Sequence, residues 1–421
     1  MKEKGIFVEI INKIAEILNN KRILILGFGR EGRSTYQFIK KYVNFIELGI
    51  ADKNKVELPE KVYFGDNYLD AVKEYDIVIK SPGIPFFGIE DGGYFVTSQT
   101  DLLLRVNREN VIGITGTKGK STTSSLIFSI LNKAGIEAKL IGNIGVPPFA
   151  CLEDISKDTK LVCEMSSHQL EHLTVSPHIA VILNIFEEHL DHYNSYEDYQ
   201  LAKVNIFRHQ SEDDVVVYCS ENSLVNGYVE RYALGKKLKF PYEYMVETRL
   251  VGDHNKKNVM AARLVASTLG VMEEDIKEAV REFSGLAHRL ELVGEFNGVI
   301  YYNDSISTIP EATINAIESL KNVDTVIIGG LDRGIHYDEF CLYLKGCSVK
   351  NIILMYDTGK KIFEKISDEK AMLVNDMDEA VNLAKKVTAK GKICLLSPAA
   401  ASYGFFKNFE ERGNRFKELV K

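Results

Sequence analysis

One stretch of the chain has the makings of a phosphate cradle. Gly113-Ile114-Thr115-Gly116-Thr117-Lys118-Gly119-Lys120-Ser121-Thr122 lies between an apolar run that reads as a strand and a helical pattern. Glycines there let backbone N–H groups turn inward, and a helix N-terminus adds partial positive charge. Lys120 can then reach the β and γ phosphates of a nucleotide, and the Ser121 hydroxyl can hold Mg²⁺. The spacing departs from G-x-x-x-x-G-K-S, because Ile114 occupies the first glycine position and Gly113 comes one residue early.

Acids and histidines follow two later strand patterns. Glu164-Met165-Ser166-Ser167-His168-Gln169 comes after Leu161-Val162-Cys163, where a carboxylate at a parallel strand end can join Ser121 on Mg²⁺. Asn184-Ile185-Phe186-Glu187-Glu188-His189-Leu190-Asp191-His192 follows 179–183, and His189 is a candidate metal ligand. Lys203 falls in a helical pattern over 196–208. Tyr196, Tyr199, Ile206 and Phe207 stand seven and four residues before it and three and four after, which puts Lys203 on the apolar face. A buried ammonium is costly unless it is paired or chemically altered, although snorkelling to water is the plain alternative. Near the N-terminus Gly27, Gly29 and Gly32 follow a strand pattern, and Asp52 comes twenty residues after Gly32. That spacing suits a diphosphate in a Rossmann-like turn.

These groups need strands to carry them. The 421 residues suffice for several domains, with 45% hydrophobic and 26% charged residues. Strand patterns at 22–26, 76–79, 111–114, 161–164, 179–183, 215–218, 299–302, 325–328, 351–355 and 393–396 alternate with helical ones, among them 196–208 and 255–269. The alternation predicts an α/β chain with largely parallel sheets. Three domains are expected, over 1–105, 106–286 and 287–421. The net charge of −7 argues against nucleic acid as a partner. No apolar run approaches the ~18 residues of a membrane span. Six cysteines without a CxxC pair, mostly inside apolar runs, read as buried thiols in a reducing cytoplasm. Charges at Lys2, Glu3, Lys4, Glu9, Lys13 and Glu16 exclude a signal peptide, and Phe7, Ile10, Ile11, Ile14, Ile17 and Leu18 fit a short amphipathic helix.

The motifs occur in an order that resembles the Mur ligase family, specifically its D-glutamate-adding branch, across nearly the whole chain. They are Gly27–Gly32, Ser81-Pro82-Gly83-Ile84-Pro85, Gly116–Thr122, Gly142-Asn143-Ile144-Gly145, Glu164–Glu171 and His189-Leu190-Asp191. Next come Ala202-Lys203, His254-Asn255-Lys256-Lys257-Asn258, His288-Arg289, Asn303-Asp304-Ser305, Gly329–Gly334 and Leu396-Ser397-Pro398-Ala399. The resemblance implies a Rossmann-like N-terminal domain, a central P-loop ATPase domain and a Rossmann-like C-terminal domain, and ATP-dependent ligation of D-glutamate to UDP-N-acetylmuramoyl-L-alanine through an acyl phosphate, by a cytoplasmic monomer that binds only small molecules.

It also implies roles for residues. Ser121 and Glu164 would hold one Mg²⁺, and carbamylated Lys203 with His189 a second; Lys120, His189 and Lys203 would be catalytic. Gly116, Thr117, Lys118, Gly119, Lys120, Ser121, Thr122, Asn258, Arg289 and Asp304 would bind ATP. Arg30, Glu31, Asp52, Lys53, Ser81, Asn143, Ser166 and Gln169 would meet the uridine-linked substrate, and Thr308, Ser402 and Phe409 the D-glutamate. The chain departs from the family where Ile306 replaces a lysine, Lys118 a common Asn, and Ala400 a frequent Cys; Arg333 is the candidate to supply the lost charge. Other readings are a diamino-acid-adding or folylpolyglutamate-type ligase, an NAD-dependent dehydrogenase built on Gly27–Gly32, and a P-loop switch protein. The dehydrogenase leaves the phosphate loop unexplained, and the switch offers no reason for Lys203.

Overall fold

Three sheets carry the chain, and each forms where short β-branched and leucine-rich runs alternate with amphipathic helices. The computed structural model describes residues 4–84, 92–188, 192–244, 246–250 and 252–421, with side chains from residue 9 onward. The first sheet comprises β1 (Arg22–Leu26), β2 (Glu47–Ala51), β3 (Lys61–Tyr63), β4 (Ile77–Lys80) and β5 (Phe95–Thr97). Its order is β3-β2-β1-β4-β5 and every pairing is parallel, the doubly wound arrangement with a switch point between β1 and β4.

The second sheet holds β6 (Val111–Thr115), β7 (Ala138–Gly142), β8 (Lys160–Glu164), β9 (Ile179–Ile182), β10 (Val215–Cys219) and β11 (Lys236–Phe240). Its order is β11-β10-β9-β6-β8-β7, again all parallel. The third holds β12 (Glu291–Phe296), β13 (Val299–Asn303), β14 (Val323–Gly329), β15 (Asn351–Met355), β16 (Ala371–Val374) and β17 (Ile393–Leu396). Its order is β12-β13-β17-β14-β15-β16, and only the β12–β13 pair is antiparallel.

By packing the chain divides into two units. One comprises Met1–Glu247 with His254–Val280 and contains the first two sheets; the other comprises Thr248–Asp253 with Arg281–Lys421 and contains the third. In the first unit a single apolar cluster runs from Ile10 of the N-terminal helix (Lys4–Leu18) through β1 and β4 to β8, β9 and the helix Tyr196–Arg208. The helix Lys4–Leu18 buries Ile10, Ile11, Ile14 and Leu18, as its periodicity predicts. Among the described residues no helix is long and apolar enough to cross a membrane.

Candidate active site

Parallel pairing brings the phosphate loop and Glu164 to one sheet edge. In register, Ile114 of β6 stands beside Glu164 at the end of β8, and Thr115 beside Ile182 at the end of β9. Chain leaving these three strands therefore converges at their C-terminal edge, the usual ligand site of an open parallel sheet. The loop enters the helix Lys120–Lys133 through Gly119, whose φ is +89°. A Cβ at Gly119 would lie 2.6 Å from Asn258 Oδ1, so glycine is required twice over, for the left-handed turn and for the approach of the helix Asp253–Thr268. Asn258 is thereby brought to the loop.

The loop is laced to the stretch after β9. The Lys118 N–H donates to Asn184 Oδ1 at 2.8 Å, and Asn184 Nδ2 donates to the Lys118 carbonyl at 3.0 Å. The Phe186 N–H donates to Thr117 Oγ1 at 3.0 Å, and Thr117 shares a 2.9 Å hydrogen bond with the Tyr199 hydroxyl. Lys118 Nζ pairs with Glu188 at 2.9 Å. Sequence reasoning missed Asn184 and Tyr199 as loop supports; an Asn directly after a strand beside a glycine loop was the available signal. Lys120 Nζ donates to the carbonyls of Gly116, at 2.8 Å, and Thr117, at 3.0 Å, so its ammonium sits within the loop.

Glu164 is 1% exposed. Its Oε1 accepts from Asn143 Nδ2 at 2.7 Å, while its Oε2 is buried without a hydrogen-bond partner. A buried carboxylate oxygen left unsatisfied is costly, and a divalent cation would satisfy it. Lys203 is 2% exposed, on the helix face that also buries Tyr199, Ile206 and Phe207, in agreement with the spacing. Its Nζ donates to the Gly116 carbonyl at 3.1 Å and lies 4.8 Å from the Tyr199 ring centre. Burial, reinforced by the nearby Lys120, pulls its pKa down to about 7, while Glu188 opposes the shift. Much of this amine is then neutral near neutral pH, and so nucleophilic. The donor set of Ser121, Glu164 and an anionic derivative of Lys203 fits Mg²⁺, which prefers hard oxygen ligands. His189-Leu190-Asp191 and Pro85 lie outside the described residues.

The residues assigned to the uridine-linked substrate are partly engaged with one another. Asp52 accepts the Phe28 N–H at 2.7 Å and the Asn54 N–H at 2.8 Å, and so pins the glycine turn. Ser81 Oγ donates to the Gly27 carbonyl at 2.9 Å. Arg30 donates to the carbonyls of Gly142, at 2.9 Å, and Gly145, at 3.1 Å, so it ties the first sheet's turn to the motif after β7. Glu31 accepts from Gln169 Nε2 at 2.9 Å, and burial raises its pKa. Ser166 and Gln169 form a reciprocal capping box on the short helix Ser167–Leu170. The Lys53 carbonyl accepts the Gly65 N–H at 3.2 Å.

In the second unit, the edge where β13, β14 and β17 end gathers the remaining residues. Asp304 is 3% exposed and accepts from Ser307 Oγ at 2.5 Å, Ser397 Oγ at 2.8 Å and the Leu290 N–H at 3.1 Å. Burial pushes its pKa up to about 6 against these bonds. Arg289 adjoins Leu290 in the turn before β12 and pulls on Asp304 electrostatically. Arg333 Nη2 donates to the Thr308 carbonyl at 3.3 Å, which brings the cation suggested for the Ile306 position to the neighbouring loop. Ser402 is buried, and its carbonyl receives the Phe405 and Phe406 N–H groups. Phe409 packs edge-on against His288.

Residues 114–240 match the Mur ligase middle domain, and residues 288–400 match the Mur ligase glutamate ligase domain. The chain is 33% identical to the UDP-N-acetylmuramoylalanine–D-glutamate ligase of Clostridium botulinum (strain Hall), over 97% of this chain and 98% of that protein. It is 34% identical to the protein of the same name from Clostridium kluyveri, over 96% and 97%. Among solved structures, UDP-N-acetylmuramate-alanine ligase MurC from Thermotoga maritima superposes with a TM-score of 0.59 at 19% identity, covering 95% of this chain and 99% of that one. MurF from Acinetobacter baumannii superposes at 0.61 with 17% identity, over 96% and 92%. At such identities these two speak for the fold alone.

Proposed function

The chain belongs to the Mur ligase family, and from that premise we propose that it is the ATP-dependent ligase joining D-glutamate to UDP-N-acetylmuramoyl-L-alanine, a step in peptidoglycan precursor synthesis. The substrate pair rests on the full-length likeness to the two clostridial ligases of that name. The reaction class rests on one observation above others. A glycine-rich phosphate loop, a carboxylate oxygen without a partner and a buried lysine of lowered pKa share one sheet edge.

The alanine carboxylate of the nucleotide substrate attacks the γ-phosphate of ATP, giving an acyl phosphate and ADP. The D-glutamate amine then attacks the acyl carbon, and inorganic phosphate leaves as the amide forms. The first step brings an anion to an anion. Lys120 and the N-terminus of the helix Lys120–Lys133 offset that repulsion by holding negative charge on the triphosphate. Ser121, Glu164, His189 and the carbamate of Lys203 would hold two Mg²⁺, which supply further charge screening when bound. The neutral Lys203 amine adds to CO₂, and the carbamate forms with loss of one proton. This anion would also suit the nearby Lys120 ammonium. Asn143, Ser166 and Gln169 line the path of the uridine-linked substrate, and Arg30, Glu31, Asp52, Lys53 and Ser81 hold its nucleotide end. Asn258, Arg289 and Asp304 contact ATP, and Thr308, Arg333, Ser402 and Phe409 contact D-glutamate. ATP and a nucleotide-linked precursor as substrates fit a cytoplasmic enzyme.

The test is phosphate release and amide formation with ATP, Mg²⁺ and UDP-N-acetylmuramoyl-L-alanine against a panel of amino acids. D-Glutamate should be preferred. Preference for a diamino acid, or activity only with a folate acceptor, overturns the substrate assignment. Phosphate release without any condensed product overturns the ligase mechanism itself.

A further inference from the structure

Arg412 takes no part in the chemistry described above, yet among the described residues it is the largest fully buried side chain, at 0% exposure. It sits in the C-terminal helix Phe409–Val420, directly after Glu410 and Glu411. Its Nε donates to Ser305 Oγ at 3.0 Å, Nη2 to the Ser305 carbonyl at 2.7 Å and Nη1 to the Ala400 carbonyl at 3.0 Å. All three partners are uncharged, and among the described residues no carboxylate forms an ion pair with it. A buried cation left in this way is expensive.

The three bonds join loops that carry the proposed amino-acid contacts. Ser305 lies three residues before Thr308, and its Oγ donates to the Phe409 carbonyl at 2.8 Å. Ala400 lies two residues before Ser402, and the Ala401 carbonyl accepts the Leu331 N–H at 2.9 Å. Leu331 lies two residues before Arg333, which itself donates to the Thr308 carbonyl at 3.3 Å. Gly330 completes the packing, since a Cβ there would lie 2.2 Å from the Ala401 carbonyl oxygen and 3.1 Å from Arg412 Nη1.

We propose that Arg412 is the positioning residue of the amino-acid site: its planar fork sets the spacing of Thr308, Arg333, Ser402 and Phe409, and its uncompensated charge biases these loops toward an anionic amino acid. The inference rests on the D-glutamate reading for the identity of that amino acid. Lysine cannot reproduce the fork, and glutamine also loses the charge.

Full-length Arg412→Lys, Arg412→Gln and Ser305→Ala enzymes are compared with the wild type. In Arg412→Lys the KM for D-glutamate should rise about 10-fold, with the KM values for ATP and the nucleotide substrate within about twofold. Arg412→Gln should raise it further, and Ser305→Ala, which removes one acceptor, should raise it less. Amide hydrogen exchange at Ser305 and Leu331 should quicken in Arg412→Lys, while exchange in β15 stays unchanged. An unaltered KM for D-glutamate, with kcat falling only in step with the folded fraction, means a purely structural residue and overturns the proposal; so does unaltered exchange at Leu331. If Arg412→Gln does not fold, the lysine and alanine variants decide the matter. A wild-type enzyme that makes no amide from D-glutamate refutes the substrate reading instead, and hydrogen exchange still decides the role of Arg412.

Discussion

Two sheet edges in this molecule bury charge, and they do it differently. At the edge of β6, β8 and β9 the charged groups have spare valence. Glu164 leaves one oxygen without a partner, and Lys203 has a single carbonyl within reach. At the edge of β13, β14 and β17 the charged groups are enclosed by hydroxyls and carbonyls. Asp304 accepts three hydrogen bonds and Arg412 donates three. Unsatisfied buried polar atoms cost stability, so they persist where a ligand completes them. Satisfied ones hold backbone in place. The first edge is therefore built to receive a ligand, and the second to fix loops. Removing charge at the first should lower kcat; at the second it should show in loop order, in stability and, through the loops, in substrate KM.

The sharpest way to break that contrast is Lys203→Ala. If Lys203 carries the proposed carbamate, kcat should fall by about 10³-fold, and short carboxylic acids such as acetate should restore part of it. Full activity without added acid would refute the carbamate. Glu164→Gln comes next. The amide keeps an acceptor for Asn143 but loses the anion, so activity should fall about 10²-fold and the Mg²⁺ requirement should rise. Its melting temperature should stay within about 2 °C of the wild type, since nothing satisfied is lost. A large drop in stability with little loss of activity would place Glu164 with the structural groups. Gly119→Ala is a milder case. Left-handed φ and the close approach of Asn258 should cost about 1–2 kcal/mol and raise the KM for ATP several-fold, measured by denaturant melts and initial rates.

How much of this was legible in sequence differs between the two edges as well. The ligand-receiving edge was readable, because its parts are local: a glycine loop, a carboxylate ending an apolar strand, and a lysine whose four helix neighbours are hydrophobic. The α/β class was readable for the same reason, since the central strands are continuous apolar runs. Strands that escaped notice have weaker patterns. β11 reads Lys-Lys-Leu-Lys-Phe, an edge strand guarded by lysines. β2 carries Gly49, which is needed because a Cβ would meet the Tyr75 hydroxyl at 2.1 Å. Arg412 could not be read at all. Glu410 and Glu411 precede it, and its burial arises only when loops distant in sequence meet around it. The partition into two packed units was equally invisible, because the apolar cluster joining the first two sheets depends on the helix Lys4–Leu18 and the segment Pro148–Asp154 meeting in space.

The smallest expected effect tests the enclosed edge through pH. Burial raises the Asp304 pKa to about 6, above its ordinary value of 3.8. Between these two values the folded chain retains a proton that the unfolded chain releases. This group's contribution to stability is therefore complete below about pH 4, and is lost as pH rises through about 6. Asp304→Asn has no such proton to lose. The melting temperature of the wild type should fall relative to that variant by about 2–4 °C between pH 4.5 and 7, and the difference should level off above pH 7. Comparing the two proteins at each pH cancels the contributions of every other titrating group. A constant difference across the range would mean that the three hydrogen bonds outweigh burial and keep Asp304 ionised. In that event the enclosed edge holds a full negative charge, and the contrast with Glu164 lies in partners alone rather than in partners and protonation.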